Sequence, residues 1–290
     1  MPPKGKKSSK RKSPETKKKL PEAKVAKGTS KEQINQEKLD SDEDVLSSPE
    51  ETLEQPTPKK KNLSFSKWNI ENVRKKFGFH SEHVDDSIFQ HVKLETKLIL
   101  LVKEEITEVS AMLDIRLGSG NESDKREFIS RILQKVIVYY EFNETIRMKT
   151  EKYLEGDDTQ GDVEYVLMAK TSNDLPIVFL IEAKKDDFEQ GRAQCYMELY
   201  TAAQMNTDES EDYNFPLYGV VTTAEIWRFV KYDPKLYDEK AKVQRRGVFT
   251  ESNPVAIVDD VGLRNMLEIF VGILTTQRET LQKLDIEFTL

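Results

Sequence analysis

Apolar residues along this chain change their spacing in a fixed order, and the order predicts the elements. From Ser81 to Met112 they recur at helical intervals at Ile88, Val92, Ile99, Val102, Ile106 and Val109, which predicts a helix. After LGSGNESD a second helical stripe runs through Phe128, Ile129, Ile132, Leu133, Val136 and Ile137, with Ser123 or Asp124 as its cap. The period then shortens. Residues 146–153, 162–169 and 176–184 read as strands, and the last two are joined by TSNDL into an antiparallel hairpin. A helix from Phe188 to Met205 follows, then the strands LYGVVTT and IWRFVKY, then a helix from Val261. This order predicts an α/β (α+β) domain with a mixed central sheet flanked by helices.

One strand ends unusually. IVFLIEAKKDD runs from five apolar residues into Glu182, Ala183 and Lys184. Side chains two apart on a strand share a face, so Glu182 and Lys184 point the same way. A hairpin turn centred on Asn173 makes opposed residue numbers sum to 346, which sets Asp162 across from Lys184. In an even register Asp162 shares the face of Glu182 and Lys184. Two carboxylates brought together in a low dielectric repel unless a cation lies between them. Hard oxygen donors suit Mg²⁺ or Mn²⁺, and such an ion would polarise a phosphoryl oxygen. Lys184 would orient the attacking water or stabilise developing negative charge. The bare acid-x-Lys pattern also occurs at Glu15, Glu22, Glu95 and Asp238; strand, hairpin and following helix distinguish the instance at Glu182.

These residues carry a resemblance. GD, nineteen residues and then EAK resembles the PD-(D/E)XK nuclease superfamily, with its restriction-endonuclease-like fold. The resemblance implies that Asp162 and Glu182 bind metal and that Lys184 is the catalytic lysine. It implies a role for Gln194, in GRAQCYMEL on the next helix. It also implies a Glu from the helix before the strands, for which Glu122 and Glu127 are both candidates. Gly161 stands where the motif's proline would be. YGVVTTAEIWRFVKY and LRNMLEIFVGIL further resemble type I restriction-like N-terminal domains and Crinkler-type nuclease effectors, without the N-terminal signature motif of oomycete Crinklers or an NTPase module. The implied activity is Mg-dependent endonucleolytic hydrolysis of DNA that leaves a 5′ phosphate. The alternative is a catalytically silent nuclease fold serving as a nuclear DNA- or protein-binding module, including as an effector.

Charge adds a second region. The net charge is −7, yet residues 1–27 hold ten Lys and one Arg against Glu15 and Glu22, or +9, which leaves −16 for the rest. Residues 1–62 read as a disordered tail, poor in apolar residues and carrying the basic clusters KGKKSSKRK, ETKKK and PKKK. Such clusters suit nuclear import machinery or nonspecific nucleic-acid contact, or simply solubilise the chain. LDSDEDVLSSPEE between them offers Ser41, Ser47 and Ser48 to kinases. Residues 63–114 read as a helical segment preceding a nuclease-like domain over 115–290. No apolar run is long enough to span a bilayer, and the N-terminus lacks the core of a secretory signal. The expected location is the nucleus, with the cytoplasm as the other reducing compartment compatible with a lone cysteine, Cys195.

Other residues invite plainer readings. His80, His83 and His91 read as surface or capping histidines, and Cys195 and Trp227 as core. Trp68 reads as the anchor of an N-terminal helix, with Arg74, Lys75 and Lys76 beside it as an alternative DNA contact. Arg147, Lys149 and Lys152 along the first strand face either a phosphate backbone or solvent. The acidic body opposes a duplex-gripping surface, which should be basic.

Overall fold

The computed structural model describes residues 62–172, 175–234, 236–238, 243–245 and 247–284. The tail read over 1–62, apart from Asn62, and the turn centre Asn173 lie outside them. In chain order the elements are β1 (Leu63–Ser64), α1 (Ile70–Phe77), α2 (Thr96–Leu113), α3 (Glu122–Tyr139), β2 (Ile146–Glu155), β3 (Thr159–Ala169) and β4 (Ile177–Ala183). They continue with α4 (Phe188–Glu209), β5 (Leu217–Thr222), β6 (Ile226–Asp233), β7 (Leu236–Asp238), β8 (Val243–Arg245), β9 (Val248–Glu251), β10 (Val255–Ala256) and α5 (Asp260–Lys283).

Eight of the strands form one mixed sheet in the order β1-β3-β4-β5-β6-β10, with β2 also on β3 and β9 also on β6. The fold is thus α/β with a mixed sheet flanked by helices. β4 lies centrally, antiparallel to β3 and parallel to β5, and all seven of its residues are buried. That is why its sequence is apolar on both faces rather than alternating. On one face α4 lies against β5 over Gly219, where a Cβ would come within 2.8 Å of Cys195 Sγ. On the other, Phe270 of α5 meets Phe179 edge-on at 5.3 Å, and Gln277 donates to the Val178 carbonyl at 2.8 Å. α2 packs along α3. Trp227 is fully buried and donates to the Ala224 carbonyl at 2.8 Å.

Two expectations are corrected. The helix read from Ser81 begins only at Thr96. Its first part is held by distant partners instead: Asp85 N–H donates to the Glu251 carbonyl at 2.9 Å, and Glu251 N–H to the His83 carbonyl at 2.8 Å. Asp85 also caps a short 3-10 turn through Ser87 N–H at 3.0 Å. Backbone bonds to the β9 region therefore override the periodicity. The cap of α3 is Asn121, not Ser123 or Asp124: Asn121 accepts from Asp124 N–H at 3.0 Å, and Asp124 accepts from Asn121 N–H at 2.8 Å. Asp124 thus closes a reciprocal capping box from inside the helix.

The segment before α2 is tied to the sheet. β1 runs parallel to the start of β3, and Trp68, which precedes α1, packs on the core as expected. Arg74 pairs with Glu82 and Lys76 with Asp158, while Lys75 is exposed. His80, His83 and His91 are exposed.

Candidate active site

The site forms where β3 and β4 part. Their ladder pairs Tyr165 with Ile181, Val166 with Leu180 and Leu167 with Phe179, each summing to the expected 346, while a register shift between Leu167 and Met168 sets the pair nearest the turn, Met168 with Ile177, at 345. Beyond Tyr165 the strands splay. β4 stays paired with β5 on its other edge, and the edge of β3 that it leaves is met by β1 at Thr159 and Gln160. Residues 161–164 therefore face a slot between β1 and the end of β4. The Ala183 amide, which an extended ladder would give to β3's backbone, donates to the Glu164 carboxylate at 2.8 Å.

A cavity of about 400 Å³ opens there, lined by the carboxylates of Glu122, Glu151, Asp162, Glu164 and Glu182 and by Arg126, Lys184 and Gln194. Asp162, Glu182, Lys184 and Gln194 are thus brought to one place. Of the two glutamates left open, Glu122 reaches the cavity. Glu127 instead pairs with Arg131 at 3.0 Å.

Position 161 is glycine for a local reason. Its φ is +150°, and an added Cβ would meet the Phe65 ring at 2.9 Å. Proline, fixed near −65°, cannot take that conformation. Gly191 on α4 makes a similar allowance, since a Cβ there would lie 2.7 Å from Lys184 Cγ. The helix thus packs directly on the lysine stem.

Acid outweighs base inside the slot. Glu182 is 2% exposed and pairs with Lys184. Burial raises its carboxyl pKa although the adjacent ammonium opposes the shift. Glu164, 8% exposed, is pushed up to about 7 by burial and by the Glu182 charge, against the pull of Arg126 and the Ala183 amide. Arg126 holds Glu164 at 2.7 Å, Glu151 at 3.3 Å and Glu122 at 3.6 Å. Burial works against the Lys184 ammonium, but Glu182 outweighs it and the pKa rises, so this lysine is a cation at neutral pH rather than a base. Behind Glu182 stands Glu198 of α4, fully buried, with no donor facing either carboxyl oxygen. Burial and the Glu182 charge push its pKa well up, which favours the neutral acid, a form able to donate to Glu182.

Sequence reasoning missed Glu164, Arg126, Glu151 and Glu198. Signals for two of them existed. Glu164 has the parity of Asp162, and Glu198 lies one helical turn beyond Gln194, on the same side of α4.

The donor set suits a divalent ion in kind: carboxylate oxygens in excess of cations, in a recess that raises the pKa values of Glu164 and Glu182. Among the described residues, no three His, Cys, Asp or Glu side chains are gathered closely enough to hold a metal as they stand. Lys184 and Arg126 take up the charge of Glu182 and Glu164 instead.

No family model matches the chain. Among curated proteins it is similar to Crinkler effector protein 1 of Rhizophagus irregularis, at 24% identity over 241 residues. The match takes in 79% of this chain and 48% of that protein, so the chain spans about half the relative's length.

Proposed function

We propose that this chain is a Mg²⁺- or Mn²⁺-dependent nuclease of the PD-(D/E)XK kind, an effector-type protein acting on DNA in the nucleus. One observation carries the reading. Asp162, Glu182 and Lys184, from two strands that separate at this point, line one cavity with Gln194 of the following helix and Glu122 of the preceding one. Asp162 and Glu182 would hold the ion, with Glu122 in reach of the same space. The ion would supply Lewis acidity to a phosphoryl oxygen. Lys184, an ammonium whose stem packs on Gly191, supplies fixed positive charge where negative charge develops. Gln194 offers an amide to orient a water or a phosphate oxygen. Similarity to a protein named as an effector supports the effector role, and the basic clusters of residues 1–61 support nuclear entry.

The test is cleavage of plasmid and single-stranded DNA with Mg²⁺, Mn²⁺ or EDTA, by wild type, Asp162→Ala and Lys184→Ala. Metal-dependent nicking lost in both variants is expected. A second reading, a silent binding module, is favoured by the ion pair between Lys184 and Glu182, which neutralises the buried carboxylate without metal. No cleavage, together with no Mg²⁺ or Mn²⁺ binding by calorimetry, would establish that reading instead.

A further inference from the structure

A polyanion faces a difficulty at this cavity. Five carboxylates line it, and its two cations, Arg126 and Lys184, are already engaged with them. Phosphates must be held from the rim, and β2 supplies the means. β2 pairs along one edge with β3 and has no strand on its other edge among the described residues. Directly paired residues share a face. Arg147 lies across from Met168, Lys149 from Val166 and Tyr153 from Asp162, so these three stand on the Asp162 face of the hairpin. Lys149 is exposed, and Arg147 is steadied by donating to the Thr171 carbonyl at 2.6 Å. Lys152 lies across from Val163 and therefore stands on the opposite face of the strand.

At the end of this run stands an aromatic ring. Tyr153 is 49% exposed although it sits on a strand directly opposite Asp162. A large ring held out beside a candidate catalytic carboxylate is well placed to take a base face. Arg147 to Tyr153 spans about 20 Å at ~3.3 Å per residue, enough to track several nucleotides of one strand.

Resting on the nuclease reading, we infer that β2 is the substrate lane: Arg147 and Lys149 hold the backbone of a single-stranded nucleic acid, and Tyr153 stacks the base next to the reacting phosphate at Asp162. A rigid duplex fits less well. Glu182 lies recessed at 2% exposure, and an unpaired strand can bend into the slot where a double helix cannot. Stacking on a ring is tolerant of sequence, since every base has a π-face. The same chemistry serves DNA and RNA, so both are probed.

The experiment uses the full chain in EDTA, so that binding is read without cleavage. Fluorescence anisotropy gives Kd and its salt dependence for oligo(dT) and oligo(rU) of about twelve nucleotides, a length within known single-strand site sizes, and for a blunt DNA duplex. Wild type is expected to bind the single strands more tightly than the duplex. Tyr153→Ala should weaken single-strand binding by about tenfold, as loss of one stacked base does. Tyr153→Phe should restore it. Lys149→Ala should weaken all probes and lower the salt slope by about one phosphate contact. These side chains are exposed, and thermal unfolding confirms that the variants fold. Single-strand binding unchanged in Tyr153→Ala and Lys149→Ala would overturn the inference, as would a preference for duplex that ignores Tyr153; metal-dependent cleavage by wild type would still stand in either case. A wild type that neither binds nor cleaves any probe would sink both readings.

Discussion

Helix α4 carries two buried acid clusters on opposite sides, and they are solved in opposite ways. On one side Arg192 and Tyr196 meet Glu251, which is fully buried. Arg192 grips it with two N–H groups at 2.8 and 2.9 Å, Tyr196 donates to it, and Arg228 adds a contact at 3.1 Å. Glu82 at 3.3 Å and Glu189 at 2.8 Å complete the arginine's partners. On the other side, Gln194 and Glu198 face Glu182, Glu164 and Asp162, where acids outnumber cations and one carboxyl must hold a proton. The first cluster is closed: every charge has a fixed partner, and it joins α4 to β9 and to the segment before α2. The second is open to a cavity and short of positive charge. The same residue types give a rivet in one case and a candidate reaction site in the other, and the difference is the balance of charge.

The largest expected effect is on the closed side. Glu251→Gln removes the one fully buried carboxylate that pairs with Arg192, itself 4% exposed, and leaves it only Glu82 and Glu189. Breaking a buried pair by removing one partner costs about 3–5 kcal/mol. Chemical denaturation of wild type and variant measures this. A loss below about 1 kcal/mol, the scale of a single ordinary hydrogen bond, would show the network to be dispensable and end the contrast.

On the open side the corresponding loss is in rate rather than stability. Lys184→Ala should lower metal-dependent cleavage by about 10²–10³-fold, the scale of losing one preorganised donor at a developing charge. Single-turnover rates at saturating Mg²⁺ measure it. An equal fall from Lys185→Ala, whose side chain lies 59% exposed in solvent, would show that position on β4 is irrelevant.

Glu164 tests the charge shortage through pH, in metal-free buffer. Its folded pKa is raised to about 7 from a reference near 4.5. Between those values the folded state holds a proton that the unfolded state has released. Stability therefore falls as pH rises through that window and is lowest above it. The penalty approaches roughly 3 kcal/mol at full ionisation. Glu164→Gln should remove it, so the variant gains in thermal midpoint over wild type at pH 8 and not at pH 4. Parallel curves would mean that Arg126 already compensates the carboxylate.

Much of this site was legible because strand parity and hairpin arithmetic are local. The sum of 346 holds from Tyr165 to Leu167, and although the strands part before Asp162 could pair with Lys184, parity puts Asp162 on the face of Glu182 and Lys184. The arithmetic could not show that β3 and β4 part after Tyr165, so Glu164 looked like one more alternating polar residue rather than a cap on Ala183. Arg126 and Glu151 join the site from other elements, and nothing short of tertiary structure sets them there. The false start of α2 has the same origin. Residues 83–86 bond to β9 and to Asn253, some 170 residues away, and local periodicity is blind to that. Short strands such as β1, β9 and β10 are equally invisible, because two to four residues carry no pattern.

The smallest expected effect is the most discriminating. Glu198 and Glu251 are both fully buried glutamates beside α4's core, and a sequence-level argument would treat them alike. Glu251 is surrounded by donors, two N–H groups of Arg192 and the Tyr196 hydroxyl. Glu198 has none facing it and lies against another carboxyl group. Replacing it with glutamine should therefore change little. The amide has the same shape, carries no charge and can still donate to Glu182, so the stability change should stay within about 1 kcal/mol and be flat from pH 5 to 8. Glu198→Ala removes the donor and should leave Glu182 less ordered, with a larger loss than the glutamine variant. A glutamine variant as damaging as Glu251→Gln would mean that Glu198 is ionised and paired after all. The cavity's shortage of positive charge would then be smaller than the geometry implies, and the case for a divalent ion at Asp162 and Glu182 would weaken with it.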